Sequence, residues 1–221
     1  MKWFNLQMTK AILIGLLCAL GFAFIALLIN GEFNIGFDAA VIGVVQGWES
    51  PGLTTILTWL TAIGAGWPVA GITVLSALFL YFVLHHRREV ILLLSAGAAS
   101  GLLNVVLKQI FRRTRPDIYR LIDIHGYSFP SGHSMAAFTL YGMLSYLLWR
   151  HANTVALRVA IVLFSVVMIV GIGVSRIYLG VHYPSDVLGG YLASGSLLAV
   201  MIHYYEKAQG KGARAASAGK K

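Results

Sequence analysis

The stretch VALRVAIVLFSVVMIVGIGV, residues 155–174, decides the fold, and it runs directly into SRIYLGVHYPSD, residues 175–186. Its twenty residues carry a single charge, Arg158, and about 20 apolar residues are enough for a helix to cross the hydrocarbon core of a bilayer. The polar segment that follows leads into a second apolar run. We therefore expect a helical membrane bundle whose chemistry lies where the helices end.

The composition of the whole chain is that of a membrane protein. It is 58% hydrophobic and 11% charged, with a mean hydropathy of +0.77, which is outside the range typical of soluble domains. Six segments approach the length of a span: 11–29, 68–84, 90–107, 134–149, 155–174 and 187–203. We predict an all-α, six-transmembrane-helix bundle in a single domain, residues 1–205, followed by a flexible basic tail, residues 206–221.

The first of these segments follows Lys2 and Lys10 and could be mistaken for a secretion signal. It is longer than a usual signal core, and no small-x-small cleavage pattern follows it, so we predict a retained helix. The single cysteine, Cys18, lies inside this helix. One cysteine excludes an internal disulfide and argues against a cysteine metal cluster.

Lysine and arginine positions predict the orientation, because cytoplasmic segments are enriched in both. With both termini in the cytoplasm, eleven basic residues fall inside and six fall outside. The outer six are Lys108, Arg112, Arg113, Arg115, Arg120 and Arg176. Anion binding explains why these residues run against the trend. We interpret Arg112 and Arg113 as headgroup contacts rather than catalytic groups.

The connection formed by residues 30–67 contains two apolar pieces, 39–45 and 53–63, each too short to span a bilayer. We predict short helices on the outer membrane surface, where aromatic residues such as Trp48 suit the interface. Two interpretations stay open for this region: helices that frame an entrance for a lipid, or a loop packed on the bundle.

The first polar segment is Lys108-(six residues)-Arg115-Pro116. Pro116 biases Arg115 away from helical geometry, so Arg115 can fold back over Lys108 at the helix end. An arginine offers a planar fork for two phosphate oxygens, and a lysine offers a compact charge for a third. The alternative for Lys108 is a side chain that snorkels to the lipid headgroups.

The second polar segment is Pro130-Ser131-Gly132-His133, which feeds directly into an apolar helix. Ser131 is a suitable N-cap, and the N–H groups of a helix start form an anion site. Gly132 lets the backbone approach a phosphate closely, and His133 lies in the first helical turn beside it. An ordinary helix cap with a spare surface histidine is the alternative.

The third polar segment is Ser175-Arg176-(five residues)-His182-(three residues)-Asp186. The spacing can bring the Asp186 carboxylate to one imidazole nitrogen of His182 and leave the other nitrogen to attack. Favourable placement at a helix N-terminus is the alternative for Asp186. The remaining histidines lack such companions, and we interpret them as loop or interface residues: His85, His86, His125, His151 and His203.

In order and spacing the three segments resemble the signature of the type 2 phosphatidic acid phosphatase superfamily, and every fixed position of that pattern is matched. The resemblance implies that His182 forms a phosphohistidine, that Asp186 orients it, and that His133 protonates the leaving lipid oxygen. It implies a phosphate cradle formed by Lys108, Arg115, Ser131, Gly132 and Arg176.

The resemblance also implies a bacterial plasma-membrane lipid phosphatase with its active site on the outer face. Phosphatidylglycerophosphate is the expected substrate, and phosphatidic acid and undecaprenyl pyrophosphate are its rivals. Because no carboxylate cluster suited to Mg²⁺ appears in the sequence, we expect no metal and no cofactor. The expected partners are the lipid phosphate and membrane lipid, without nucleic acid or an obligate protein partner.

Two other classes of membrane protein fit the sequence less well. An ion-coupled transporter usually carries ionisable groups near the bilayer midplane, and the predicted helices hold theirs near the ends. A purely structural membrane protein would leave the three motifs without a reason. The segment GAASG, residues 97–101, is typical of close helix packing, and we assign it no chemistry.

Overall fold

A computed structural model of the chain describes residues 2–29, 35–117 and 119–218. Within these ranges all the regular structure is helical, which confirms the all-α prediction. The eight helices of the described ranges are α1 (Lys2–Ile29), α2 (Ile35–Gln46), α3 (Pro51–Ile63), α4 (Gly66–Phe82), α5 (Arg87–Phe111), α6 (Gly132–His151), α7 (Val155–Tyr178) and α8 (Pro184–Ala218).

Four helices, α1, α5, α7 and α8, are long and apolar enough to cross a membrane. Helices α3 and α4 pass the same test as a pair but are bent by 55° at the break between them. Helix α6 has 20 residues, a length of about 30 Å, and is not among the candidates. The described residues support four spans, or five with the bent pair, and the count of six stays a prediction.

The position of α6 in the bundle explains its more polar sequence. It packs against α5, α7 and α8, and its buried face includes Ser134 and Thr139 beside Met143 and Leu147. By contrast, α1, α5 and α7 expose large apolar side chains on their outer faces. A helix enclosed by other helices does not need a continuous apolar surface, so a hydropathy criterion does not detect it.

The region of residues 30–67 contains the two short helices that the sequence predicts, α2 and α3, and both pack on α7. Val45 and Leu57 join Tyr178, Leu179 and Val181 in one apolar cluster. Packing on the bundle, one of the two interpretations of this region, is therefore what the described residues show. A role as a lipid entrance stays a prediction, and residues 30–34 lie outside the described residues.

Helix α8 continues to Ala218, past residue 205, where the sequence predicts that the tail begins. The first part of the predicted tail is therefore helical in this structure. Residues 219–221 lie outside the described residues. The mobility of the tail stays a prediction.

Candidate active site

The three polar segments meet at one end of the bundle. Helices α5 and α7 end there, and α6 and α8 begin there. Lys108, Arg115 and Arg176 lie close enough to His133 for their charges to act on it. All eight site residues that the sequence predicts thus belong to one region of the structure.

The turn between α7 and α8 places His182. Gly180 has a φ of 71°, and a Cβ at this position would lie 1.8 Å from the carbonyl oxygen of Tyr119. The turn therefore requires glycine, for its backbone conformation and for space. The N–H of Leu121 donates to the carbonyl of Leu179 over 3.1 Å, so the loop after α5 holds the turn in place.

His182 and Asp186 form a buried pair. Nδ1 of His182 lies 3.3 Å from Oδ2 of Asp186, and the two residues are 2% and 0% exposed. The same carboxylate oxygen accepts the N–H of Tyr183 at 2.8 Å. Because an ionised carboxylate only accepts hydrogen bonds, we assign the imidazole proton to Nδ1, which leaves the lone pair of Nε2 to act as nucleophile.

Arg115 faces that nucleophilic nitrogen. Its Nη1 lies 3.1 Å from Nε2 of His182 and donates to the carbonyl of Val181 at 2.7 Å. Its Nε donates to the carbonyl of Gly126 at 3.0 Å. Its Nη2 donates to the carbonyls of Tyr127 at 3.2 Å and His125 at 3.5 Å. The backbone thus fixes the positive charge of the guanidinium beside Nε2, where it can stabilise a bound phosphate.

The environment of His182 keeps the imidazole neutral. Burial lowers the pKa of His182 to about 4, the hydrogen bond from Nδ1 to Asp186 opposes this effect, and the charges of Arg115 and Arg176 add to it. At neutral pH the residue is therefore in the unprotonated form that a nucleophile needs.

Arg113 is not the lipid headgroup contact that the sequence predicts. Its Nη1 donates to Oδ1 of Asp186 and to Oγ of Ser185, each at 2.7 Å. Its Nη2 donates to Oδ2 of Asp38 at 2.9 Å, and its guanidinium lies 4.0 Å from the ring centre of Tyr183. Arg113 therefore holds the carboxylate that orients His182.

Asp38 on α2 completes this network, although none of the three sequence motifs contains it. It is 3% exposed and accepts the N–H of Ser185 at 2.9 Å and the Ser185 hydroxyl at 2.7 Å. Together with Arg113, it ties α2 to the first turn of α8. A signal was present in the sequence, since Asp38 is the one carboxylate of the apolar stretch IGFDAAVIGVVQ.

Arg176 is buried at the end of α7, with 1% exposure. Its Nη1 donates to Oγ1 of Thr61 on α3 at 2.8 Å. Its Nε is buried and has no hydrogen-bond partner among the residues that the structure describes. A buried cationic donor of this kind is costly unless an anion binds it, which suits the predicted place of Arg176 in a phosphate cradle.

Ser131 joins the second segment to the third. Its N–H donates to the carbonyl of Asp186 at 3.0 Å, and its Oγ caps α6 by accepting the N–H of Ser134 at 3.4 Å. A Cβ on Gly132 would lie 3.1 Å from Oδ1 of Asn104. Asn104, a polar residue inside α5 that the sequence analysis missed, donates to the carbonyl of Pro130 at 3.1 Å.

Lys108 turns toward the site, because its Nζ donates to the carbonyl of Tyr127. Snorkelling to the headgroups is therefore not the conformation of this structure. The neighbouring Arg112 ends α5 with a φ of 46°, is exposed, and donates from Nε to the carbonyl of Gln109 at 3.0 Å.

An apolar groove leads to this site between α4, α5 and α6. Its volume is about 420 Å³, and its lining runs from Leu93 and Val69 to Asn104 and Gly132 at the site. Gly97 and Gly101 line the groove too, and neither has a neighbouring atom within 4 Å of an added Cβ. The two glycines of residues 97–101 therefore do not pack closely on another helix, whereas Ser100 between them is buried and accepts a hydrogen bond from Thr139 of α6 at 2.9 Å.

Comparisons with known proteins agree with this geometry. The profile of the PAP2 superfamily matches residues 88–209. A phosphatidylglycerophosphatase B of Bacillus subtilis is 33% identical over 171 residues, covering 77% of this chain and 83% of that protein. An undecaprenyl-diphosphatase of Sulfolobus acidocaldarius is 28% identical over 187 residues, covering 79% and 82%.

A solved structure has the same fold. The crystal structure of a transmembrane PAP2-type phosphatidylglycerolphosphate phosphatase from Bacillus subtilis is similar to this chain with a TM-score of 0.81 and 30% sequence identity. The match covers 88% of this chain and 96% of the other.

Proposed function

Because the chain belongs to the PAP2 superfamily, we propose that it removes the terminal phosphate of a membrane lipid, with His182 as nucleophile. One observation carries the proposal. The buried Nε2 of His182 faces Arg115, while Nδ1 contacts Asp186, and an apolar groove reaches the same site. The site thus combines a nucleophile, a cation and a place for an acyl chain.

The reaction proceeds in two steps. Nε2 of His182 attacks phosphorus, and the bond from phosphorus to the lipid oxygen breaks while His133 donates a proton to that oxygen. Water then attacks the phosphohistidine with His133 as the base, which releases inorganic phosphate. Lys108, Arg115, Arg176 and the helix start at Ser131–Gly132 stabilise the charge of the equatorial oxygens.

We propose phosphatidylglycerophosphate as the preferred lipid. The relative from Bacillus subtilis is named for this activity. A pyrophosphate lipid would need additional positive charge, for which Arg112, Arg113 and Arg120 are the nearby candidates. Arg113 is held by Asp38 and Asp186 and Arg120 pairs with Asp117 at 2.6 Å, which leaves the exposed Arg112. Undecaprenyl pyrophosphate is the second candidate, because the relative from Sulfolobus acidocaldarius is named as an undecaprenyl-diphosphatase.

The reaction that we propose needs no metal at this site. In the part of the chain that the structure describes, the carboxylates of the site are Asp186 and Asp38, and Arg113 binds both. Mg²⁺ prefers a set of oxygen ligands, which these engaged carboxylates do not offer. The cations and N–H donors supply the positive charge instead.

Hydrolysis of the candidate lipids in one detergent system tests the substrate. The quantity to compare is kcat/KM, because this ratio measures discrimination. We expect the highest value for phosphatidylglycerophosphate, with lower values for phosphatidic acid and undecaprenyl pyrophosphate. A clear advantage for the polyprenyl substrate would contradict our choice of lipid, and no hydrolysis of any of them would contradict the phosphatase function.

We propose that six spans place both termini in the cytoplasm and the site at the outer face, with α6 and the bent pair counted as spans. Cysteine labelling tests this topology in a Cys18→Ser background. An impermeant reagent added to intact cells should label His125→Cys, near the site, and should spare Asn153→Cys, at the other end of α6. The reverse pattern would contradict the topology.

A further inference from the structure

A second cluster of chemically active side chains lies at the opposite end of α5 and α6 from the phosphate site. His86 directly precedes α5, Glu89 lies in the first turn of α5, and His151 is the last residue of α6. Contrary to the expectation from the sequence, both histidines have a charged companion. Glu89 contacts both, although 62 residues separate it from His151.

The three side chains converge on one point. Nε2 of His151 lies 2.9 Å from Oε2 of Glu89, and Nδ1 of His86 lies 3.9 Å from Oε1 of the same carboxylate. One ligand atom from each residue lies within 4.8 Å of the other two. In a tetrahedral zinc site with bonds of about 2.0–2.1 Å, ligand atoms are about 3.3 Å apart. The side chains need only small adjustments to reach that geometry.

Either protonation or a metal ion can compensate the carboxylate of this cluster. Glu89 is 3% exposed, and its ion-pair partners within the described ranges are the two histidines. If both imidazoles are neutral, a buried carboxylate keeps no compensating charge, which is costly. One protonated imidazole compensates the carboxylate but leaves the second ring without a charged partner, and two protonated imidazoles repel across ring centres 4.5 Å apart. A divalent cation compensates the carboxylate and uses a lone pair from each ring.

Two of the three basic side chains near the cluster have other partners, and the third, Arg88, is exposed and lines a pocket beside the cluster. The guanidinium of Arg87 lies over the ring of Tyr81 at 5.4 Å. Arg150 donates to the hydroxyl of Tyr146 at 2.8 Å and forms an ion pair with Glu206 at 3.5 Å. Both charges are therefore engaged away from the carboxylate of Glu89.

Solvent and an ion can reach the cluster. A pocket of about 340 Å³ adjoins it, lined by His86, Glu89, Tyr205 and Gln209 among others, and the side chain of His86 is 46% exposed. This pocket leaves room for a water molecule as a fourth ligand. Three protein ligands and one open position are the arrangement of catalytic zinc sites, whereas structural zinc sites usually have four protein ligands.

We propose that His86, Glu89 and His151 bind one divalent transition-metal ion, for which Zn²⁺ is the best match. Two imidazole nitrogens and one carboxylate oxygen are ligands that zinc accepts, whereas Mg²⁺ and Ca²⁺ prefer oxygen alone. The ion joins the start of α5 to the end of α6. The two helices carry Lys108 and His133 at their other ends, so the ion takes no part in phosphate chemistry.

Metal binding to the purified full-length chain tests the proposal. The protein is prepared in detergent without a polyhistidine tag, stripped with EDTA, dialysed and titrated with ZnCl₂. We expect one zinc per chain by elemental analysis and a higher thermal unfolding temperature with zinc, because a ligand that binds only the folded state stabilises it. Substitution with Co²⁺ should give the visible absorption bands of a four-coordinate site.

Variants assign the ligands. Glu89→Gln and His151→Gln should each weaken zinc binding by about tenfold or more. The matched control is His85→Asn, because His85 is an exposed neighbour of His86 with a φ of 57°, a conformation that asparagine accepts. This control should bind zinc as the wild type does. Lipid phosphatase activity, which depends on the other end of the helices, checks that each variant is folded.

Three results would overturn the proposal. The first is that the wild-type chain retains no zinc after dialysis. The second is that Glu89→Gln retains as much zinc as the wild type. The third is that the unfolding temperature depends on pH and does not change with zinc. The last result would identify an ion pair between Glu89 and His151. If a variant does not fold, protection of two wild-type histidines from diethylpyrocarbonate by zinc decides instead, and no protection overturns the site.

Discussion

Replacing Arg113 by glutamine tests whether this arginine holds the catalytic carboxylate. The guanidinium makes hydrogen bonds to Asp186, Ser185 and Asp38 over 2.7–2.9 Å. Glutamine keeps a polar group but removes the charge and the planar fork. After the change, the two buried carboxylates have no cation between them, and Asp186 loses the support on its Oδ1 side.

The structure sets the expected magnitude. The side chains of Asp38 and Asp186 are 5% and 0% exposed, and that of Arg113 is 15% exposed. Removing one partner of a buried ion pair costs about 3–5 kcal/mol of folding stability. A displacement of about 1 Å in a catalytic group can lower the rate by about 10²-fold. We therefore expect kcat to fall by about 100-fold, with KM for the lipid nearly unchanged, because Arg113 positions Asp186 and is not expected to contact the substrate.

The assay is steady-state hydrolysis of phosphatidylglycerophosphate by purified variants, with the unfolding temperature measured in parallel. Arg112→Gln is the matched control, since Arg112 is exposed and, among the described residues, its side chain donates to the carbonyl of Gln109 in its own helix and to no other group. We expect this control to stay within roughly twofold of the wild type, as surface substitutions usually do. Arg113→Lys, which keeps a charge, should lie between the wild type and Arg113→Gln.

Two results would refute this reasoning. A wild-type kcat in Arg113→Gln would show that Asp186 does not depend on the arginine. A raised KM with unchanged kcat would show that Arg113 binds substrate, as a headgroup contact would. The double variant with Asp38→Asn measures the coupling, and strictly additive losses would show that the two residues act independently.

The remaining predictions concern the histidines and metal. His133→Ala should slow lipid hydrolysis by about 10²–10⁴-fold but slow p-nitrophenyl phosphate hydrolysis less, and equal losses would contradict its role as the leaving-group acid. The pKa of His182 is lowered to about 4 in the folded protein and is about 6.5 in the unfolded chain. Between about pH 4 and about pH 6.5 the unfolded chain therefore binds one proton more than the folded protein does. The free energy of unfolding should therefore fall as pH decreases from about 6.5 to about 4. Tm measured in detergent over this pH range should decline less for His182→Asn than for the wild type. Equal declines would contradict the lowered pKa of His182. Initial rates should survive excess EDTA at constant pH, and complete loss restored by Mg²⁺ would contradict a metal-free phosphate site.

The sequence predicted which residues meet at one site because their order and spacing along the chain carry that information. Pro116, Gly132 and Pro184 set the local backbone near the helix ends, and the reactive residues lie within a few positions of them. The structure brings those positions together at one end of the bundle. The motifs were therefore sufficient to predict that His182 lies beside Asp186 in this site.

The supporting contacts could not be predicted in the same way, because their partners lie far apart in the sequence. Asp38 and Ser185 are separated by 147 residues, and Arg113 and Asp38 by 75. No local pattern distinguishes Arg113 from Arg112, and only tertiary packing turns one into the site and leaves the other exposed. The count of six spans stays a prediction, because the segment 134–149 approaches the length of a span, whereas α6, which packs against α5, α7 and α8, is not among the candidate spans.

Trapping of the phosphoenzyme tests the central claim most directly. Wild-type protein is mixed with lipid that carries a radiolabelled terminal phosphate, quenched rapidly with denaturant in alkali, and separated from the lipid. We expect label on the protein that alkali leaves intact and acid releases, as for a phosphohistidine, and we expect none on His182→Ala. Label retained by His182→Ala, or none on a wild-type enzyme that is turning over, would contradict His182 as the nucleophile.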